Sequence, residues 1–394
     1  MGCSGIMSSA PLPIAAVARS SIFGPPAIDC DVHIAVPSVK AIMPYLDDYW
    51  RAQFLNRGID LVSWSMTCEP PGTPLAGRPD WRPAAGASGG SRPGTDLALL
   101  QTMALEAFAT SIAIAHCIWG GQVLHSEDMS AVVCRAVNDW LAAEWLDREP
   151  RLRASIVVPL GNAELAVEEI ERRADDLRFV SVLMLAAGEK PLGSRANWPI
   201  YKAAARHRLP ITVHAGSSYH HPPIAGWPSH FIEDYVATAF AFENAVLSLV
   251  AEGVFAKFPD LKVVLAESGV SWLTAALWRF DKTWRGVRAE VPWVKRAPSA
   301  IASDHIRLTL QPFDAPEGEA ERVLARIVEQ LGSEQMLLFS TDFPHWHFDG
   351  TEALPAAGTS ALARRMLWDN AIETFPRLSS SPLAGEVARS AGGG

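Results

Sequence analysis

Residues Leu337–Asp349 read LLFSTDFPHWHFD, and this stretch decides the fold. A short apolar run, Met336 to Phe339, ends in Ser340, Thr341 and Asp342. Pro344 stops the strand, because its ring fixes φ and biases the preceding residue away from helix. A carboxylate at the end of a buried strand is costly unless a metal or a catalytic proton compensates its charge. The structural alternative is an aspartate that caps the next helix or turns the loop. Three other strand ends decide between the two.

The first strand is Ala27 to His33, AIDCDVH, and it ends in Asp31 and His33. Residues two apart on a strand share a face, so both side chains point into one space. A helix is expected over Val36 to Asn56, with Arg51 within it. Further strands are expected at Ser111–Trp119, Ala154–Pro159, Phe179–Leu185, Pro210–His214, Leu261–Glu267, His305–Leu310 and Met336–Thr341. Helices are expected between them, and Glu352 to Phe375 supplies closing helices. The strands are continuous apolar runs, the mark of a parallel sheet covered on both faces. Eight such units over about 350 residues give an α/β fold, the (β/α)8 or TIM barrel with loop insertions. A doubly wound open sheet is the alternative, but no G-x-G-x-x-G or Walker sequence is present.

The chain has 394 residues, 49% hydrophobic, with a net charge of -9. No basic stripe is present, which argues against a nucleic-acid partner. Five scattered cysteines without metal or disulfide spacing fit a reducing, cytoplasmic setting. No apolar run reaches the length of a membrane span. Residues 1–26 are expected to be a disordered leader, since no positive charge precedes the mildly apolar PLPIAAVA. Residues 378–394 are small and Gly- and Ser-rich, and are expected to be a disordered tail. Between them, 27–377 is one barrel domain. Its insertion, about 58–95, is Pro-, Gly- and Ser-rich and suits an active-site flap or an oligomer contact.

Barrel active sites lie at the carboxyl ends of the strands. Strand one ends in Asp31 and His33, strand five in His214, strand six in Glu267 and strand eight in Asp342. Strands two, three and four are read as ending without such a group. Each of these residues alone is weak evidence, and a lone barrel histidine is more often structural than a ligand; their convergence at one mouth indicates a metal site. Histidine with carboxylate suits zinc, manganese or iron, and not magnesium or calcium. Zinc is the first expectation, although the carboxylates lean towards manganese. The fourth strand, FVSVLMLAA, has no lysine to bridge a second ion, so one divalent metal is expected. Trp272, Trp293 and Trp346 suit the apolar walls of a pocket for a ring-like acid. Arg51, Arg296 and Arg307 are candidate carboxylate anchors, and His345, His347, His220 and His221 lie in pocket-side loops.

The DCDVH start, the VHAG strand, AESGVSWL and STDFPHW together resemble the amidohydrolase superfamily. The resemblance is to its amidohydrolase-2 branch, which includes aminocarboxymuconate-semialdehyde decarboxylase-like enzymes, and it runs from about Ile28 to Phe375. It implies a metal held by Asp31, His33, His214 and Asp342. The family more often has histidine at the position of Asp31, and a catalytic histidine at that of Glu267. The residues themselves are read as Asp342, Glu267 and His214 for catalysis and Arg51, Trp272, Trp346 and His345 for substrate contact, and the family precedent implies a homodimer. The implied reaction is non-oxidative decarboxylation of a small, aromatic-derived carboxylic acid. The alternatives are metal-assisted hydrolysis of a C–N or C–C bond, with Asp342 or Glu267 taking the proton from metal-bound water, and a barrel that binds without catalysing.

Overall fold

The computed structural model describes residues 27–59, 77, 81, 92–216, 228–316, 318–345 and 361–380. Eight parallel strands lie in sequence order: β1 Ala27–His33, β2 Thr110–His116, β3 Leu152–Val157, β4 Phe179–Leu185, β5 Ile211–His214, β6 Val263–Ala266, β7 Ile306–Thr309 and β8 Leu337–Leu338. Every strand residue except Ser111 is buried. That burial on both faces explains the continuous apolar runs.

The helices are α1 Val39–Ile42, α2 Asp48–Arg57, α3 Leu97–Leu100, α4 Glu127–Leu141, α5 Ala163–Arg173, α6 Trp198–Arg206, α7 Phe231–Ala251, α8 Val254–Lys257, α9 Ser271–Val287, α10 Pro298–His305, α11 Ala320–Leu331, α12 Ala361–Arg364 and α13 Asn370–Thr374. The single helix expected over Val36 to Asn56 is broken. Pro44 tightens the chain into a 3-10 turn, Met43–Tyr45. Asp47 then caps a fresh start, accepting from the Trp50 N–H at 2.8 Å. Gly58, at φ +60, ends α2 by donating its N–H to the Phe54 carbonyl.

The barrel closes where β8 returns to β1. The Cys30 N–H donates to the Phe339 carbonyl at 2.9 Å, and the Asp342 N–H to the Asp31 carbonyl at 3.0 Å. Asp29 fastens the same seam from its side chain. It accepts from the Thr341 hydroxyl at 2.6 Å and the Thr341 N–H at 3.1 Å. Burial lifts the Asp29 carboxyl to about 7, against the pull of those bonds. The regular strand expected over Met336–Thr341 is therefore only Leu337–Leu338, because the chain beyond turns its bonds to β1.

At the amino end, Ile28, Cys30, Ile112, Ile114, Val264 and Leu338 form one cluster with Ala371, Phe375 and Leu378. The Arg377 guanidinium donates to the Phe179 carbonyl at 2.8 Å and the His207 carbonyl at 3.2 Å, where β4 and β5 begin. Leu378 was expected to open a loose tail; it is fully buried, in a 3-10 turn over Pro376–Ser380. The expected leader and the remainder of the expected tail lie outside the described residues.

The insertion is described at a few points, and these sit beside the chain that follows β8 and β1. Gly77 forms an antiparallel bridge with His345. Trp81 is buried, its ring 5.2 Å from that of Phe343. Gly94 donates no side chain for a reason: a Cβ there would stand 2.9 Å from the His33 carbonyl. These contacts place Gly77, Trp81 and Gly94 beside the carboxyl end of the seam, while residues 60–76, 78–80 and 82–91 of the expected insertion lie outside the described residues.

Candidate metal centre

The strand register brings the expected residues to one level. His33 ends β1 opposite His116, which ends β2, and His214 ends β5 opposite Ala266, the residue before Glu267. Strand two does carry a group at its end, contrary to expectation: it stops at His116 and not at Trp119. Asp342 follows β8 on the seam. Glu267 and Asp342 both adopt left-handed backbone, φ +58 and +53. Non-glycine residues reach that region only when their surroundings hold them there; Ala109 and Arg208, just before β2 and β5, do so as well. The Glu267 N–H is held by the Thr309 hydroxyl at 3.0 Å.

Asp31, His33, His116, His214, Glu267, Asp342 and His345 are each no more than 5% exposed. His33 Nε2 lies 3.0 Å from Asp342 Oδ1, 3.2 Å from His214 Nε2 and 3.5 Å from Asp31 Oδ1. His214 Nε2 lies 3.6 Å from Asp31 Oδ1 and 3.4 Å from Glu267 Oε2. Ligand atoms about 2.0–2.2 Å from a shared ion stand about this far apart. Asp31, His33 and His214 form one donor group; His33, Glu267, Asp342 and His345 form another that shares His33.

Two observations test whether a cation fits. Both Asp31 carboxylate oxygens are buried and accept no hydrogen bond. A carboxylate so placed is strongly disfavoured without a compensating charge. His214 Nδ1 faces the Ala215 carbonyl at 2.9 Å. A carbonyl only accepts, so Nδ1 carries the proton and the Nε2 lone pair faces the cluster, as metal ligation needs. The donor set fits a divalent metal.

Without a cation, a proton does part of its work. Burial opposes charge on His214, yet Asp31 and Glu267 raise its pKa to about 9. Burial lowers His33 to about 4, with the charges of His345 and His214 adding to it against the Asp342 hydrogen bond. Burial pushes the Asp31 carboxyl up, but His214, His33 and His116 hold it below the ordinary range. The proton on His214 and a bound cation are thus alternatives.

Among the expected catalytic and metal residues, Asp31, His33, His214, Glu267 and Asp342 are all brought together. His345, expected at the substrate, bonds Asp342 Oδ1 through Nδ1 at 2.8 Å. Arg51 is not brought to the cluster: its guanidinium donates to the Met43 and Leu46 carbonyls and to Asp48. Trp272 is on α9, where its indole N–H donates to the Ser268 carbonyl at 2.8 Å and braces the turn after Glu267. Trp293 bonds the Ala251 carbonyl, Arg296 pairs with Asp304 on the surface, and Arg307 bonds the Ser303 and Ile306 carbonyls at the start of β7. Trp346, His220, His221 and His347 lie outside the described residues. A cavity of about 580 Å³ over the ends of β3 and β4 is lined by Leu160, Met184 and Lys190 among others, but by no residue of the cluster.

Sequence reasoning missed two partners. Tyr235, on α7, donates its hydroxyl to Glu267 Oε1 at 2.8 Å. His116 Nε2 lies 3.8 Å from Asp31 Oδ1. Its position at a strand end was the signal that could have found it.

Residues 28–377 match the model of the amidohydrolase family. The chain belongs to that family. This amidohydrolase is 27% identical over 247 residues to the gamma-resorcylate decarboxylase of Rhodococcus jostii, covering 57% of this chain and 69% of that one. Its fold is that of a dihydroxybenzoic acid decarboxylase from Polaromonas sp., solved with bound manganese and 2-nitroresorcinol. The TM-score is 0.60 at 19% identity, covering 89% of this chain and 97% of that one. It is also that of a 5-carboxyvanillate decarboxylase from Novosphingobium aromaticivorans complexed with manganese, with TM-score 0.62 at 18% identity, covering 90% and 96%. No helix among the described residues of this amidohydrolase is long and apolar enough to cross a membrane.

Proposed function

We propose that this amidohydrolase decarboxylates a small aromatic carboxylic acid without an oxidant. In this reading Asp31, His33, His214 and Asp342 hold one divalent metal, and Glu267 carries the proton. The observation behind it is the convergence of these five groups in one buried cluster, in a chain whose relatives described above are decarboxylases. We take manganese in preference to zinc: three carboxylates share the cluster, and the related structures hold manganese.

A bound divalent ion supplies a Lewis acid and a template for the substrate's oxygens. Tyr235 holds Glu267 Oε1 and so turns Oε2 towards the two histidines. The carboxyl group leaves as carbon dioxide, and its bonding electrons stay on the ring carbon. That carbon takes the proton Glu267 delivers. His345 steadies Asp342. The buried cluster keeps bulk water from the reacting carbon.

The reading is tested with dihydroxybenzoic acids on the manganese-loaded protein in deuterium oxide and oxygen-18 water. One carbon dioxide per product, one deuterium on the vacated carbon and no solvent oxygen in the ring product are expected. Solvent oxygen in the product would make the enzyme a hydrolase. Glu267→Gln keeps the metal and slows turnover about a hundredfold or more; an unchanged rate removes Glu267 as the proton carrier. A homodimer in a reducing cytoplasm belongs to the same reading. The three described cysteines, Cys30, Cys117 and Cys134, are free thiols, and light scattering on the purified protein tests the dimer.

A further inference from the structure

Beneath the metal cluster, four polar side chains cross the barrel from strand to strand. Thr212 on β5 donates its hydroxyl to Ser181 Oγ on β4 at 3.0 Å. Ser181 meets Ser155 Oγ on β3. Ser155 meets His116 Nδ1 on β2 at 2.8 Å. His116 Nε2 faces the Cys30 carbonyl on β1 at 3.1 Å. All four side chains are fully buried.

Donor and acceptor roles in this line follow from its two ends. The Cys30 carbonyl can only accept, so His116 Nε2 carries a hydrogen. Thr212 already donates to Ser181. Ser181 therefore has its own hydrogen for Ser155, and Ser155 has its own for His116 Nδ1. Each hydroxyl then donates once and accepts from the one before, and Nδ1 receives. The reverse order needs a hydrogen on Nδ1 and leaves the Thr212 hydroxyl proton with no acceptor among the described residues, which burial penalises.

We propose that this one-way line, Thr212 to Ser181 to Ser155 to His116 to the Cys30 carbonyl, makes His116 a positioning residue for Asp31 and keeps it out of the metal's ligand set. The proposal rests on the metal-centre reading above. A ring fixed with hydrogen on Nε2 offers no lone pair on the side that faces the cluster. It presents an N–H edge 3.8 Å from Asp31 Oδ1. The Asp31 carboxylate oxygens accept no hydrogen bond, so this edge is the polar wall behind them. The carboxylate is thereby directed to the space shared with His33 and His214. Partners placed behind a metal ligand in this way commonly govern how tightly the ion is held.

The test uses the full chain, first stripped of metal by chelation and labelled with nitrogen-15 histidine. Nitrogen shifts should show His116 neutral, hydrogen on Nε2 and none on Nδ1, with the assignment made by the loss of that signal in His116→Gln. A doubly protonated ring at neutral pH, or hydrogen on Nδ1 alone, overturns the proposal. Manganese titration then compares Ser155→Ala with Ser155→Thr. The alanine variant should bind about tenfold more weakly, and the threonine variant, which keeps the hydroxyl, should recover. Wild-type affinity in a folded Ser155→Ala protein also overturns it. If the wild-type chain takes up no manganese, the metal-centre reading fails and with it the role given to Asp31. The shifts of the metal-free sample still decide the direction of the line.

Discussion

At the amino end of the barrel, Phe375, Ala371 and Leu378 fill the space between the strands, and Arg377 is met by backbone carbonyls. At the carboxyl end, three carboxylates and four histidines crowd together. There the two Asp31 carboxylate oxygens accept no hydrogen bond. The same eight strands support both arrangements, so the difference does not come from the sheet. One end is completed by its own chain. The other leaves the buried Asp31 carboxylate without a hydrogen bond from its own chain, which is how a site differs from a core.

The strongest way to break this contrast is to empty the carboxyl end. His214→Ala should lose metal and turnover together, with activity down about a thousandfold or more. Metal analysis after gel filtration decides it, and full occupancy in that variant would count against the centre. The converse change is Phe375→Ala at the amino end. It should cost about 3–5 kcal/mol of stability by leaving a cavity, while turnover per folded molecule stays as it was. Urea unfolding and an assay below the transition read the two effects; a changed metal affinity would show that the ends are coupled. A finer probe is Tyr235→Phe, which keeps the ring and removes the donor to Glu267. One hydrogen bond to a charged group corresponds to about a tenfold loss of kcat, with unchanged metal content. An unaltered kcat would mean that Glu267 is oriented by other groups. Smallest of all is Arg51→Ala, which should leave KM within about twofold and lower stability by about 1 kcal/mol. A large rise in KM would return Arg51 to the substrate.

The strands were legible because burial on both faces leaves long apolar runs. β1 and β4 fall where the sequence places them, at Ala27–His33 and Phe179–Leu185. The five converging residues were legible for a related reason: each alone has an ordinary structural explanation, but four strand ends of a barrel that all finish in ionisable groups meet at one mouth. His116 was hidden by reading the second strand on to Trp119, which puts it in mid-strand, where a histidine means little. Ser155, Ser181 and Thr212 are single hydroxyls within apolar runs and leave no local pattern. Tyr235 lies on α7 among Phe231, Phe240 and Phe242, where an aromatic residue reads as packing. Arg51 misled in the other direction, because a basic residue near the first strand resembles an anchor until its bonds to nearby carbonyls are seen. In each case the sequence shows the residue, and only the three-dimensional neighbour gives it a role.

The seam between β8 and β1 has a consequence for how the molecule is made. Asp31 and His33 are synthesised long before Asp342, and the Asp29–Thr341 latch joins the same two segments. A nascent chain released before about residue 342 lacks the closing strand end and the Asp342 carboxylate at one stroke. Under the metal-centre reading, a chain cut short of Asp342 therefore has neither the latched seam nor the full donor set.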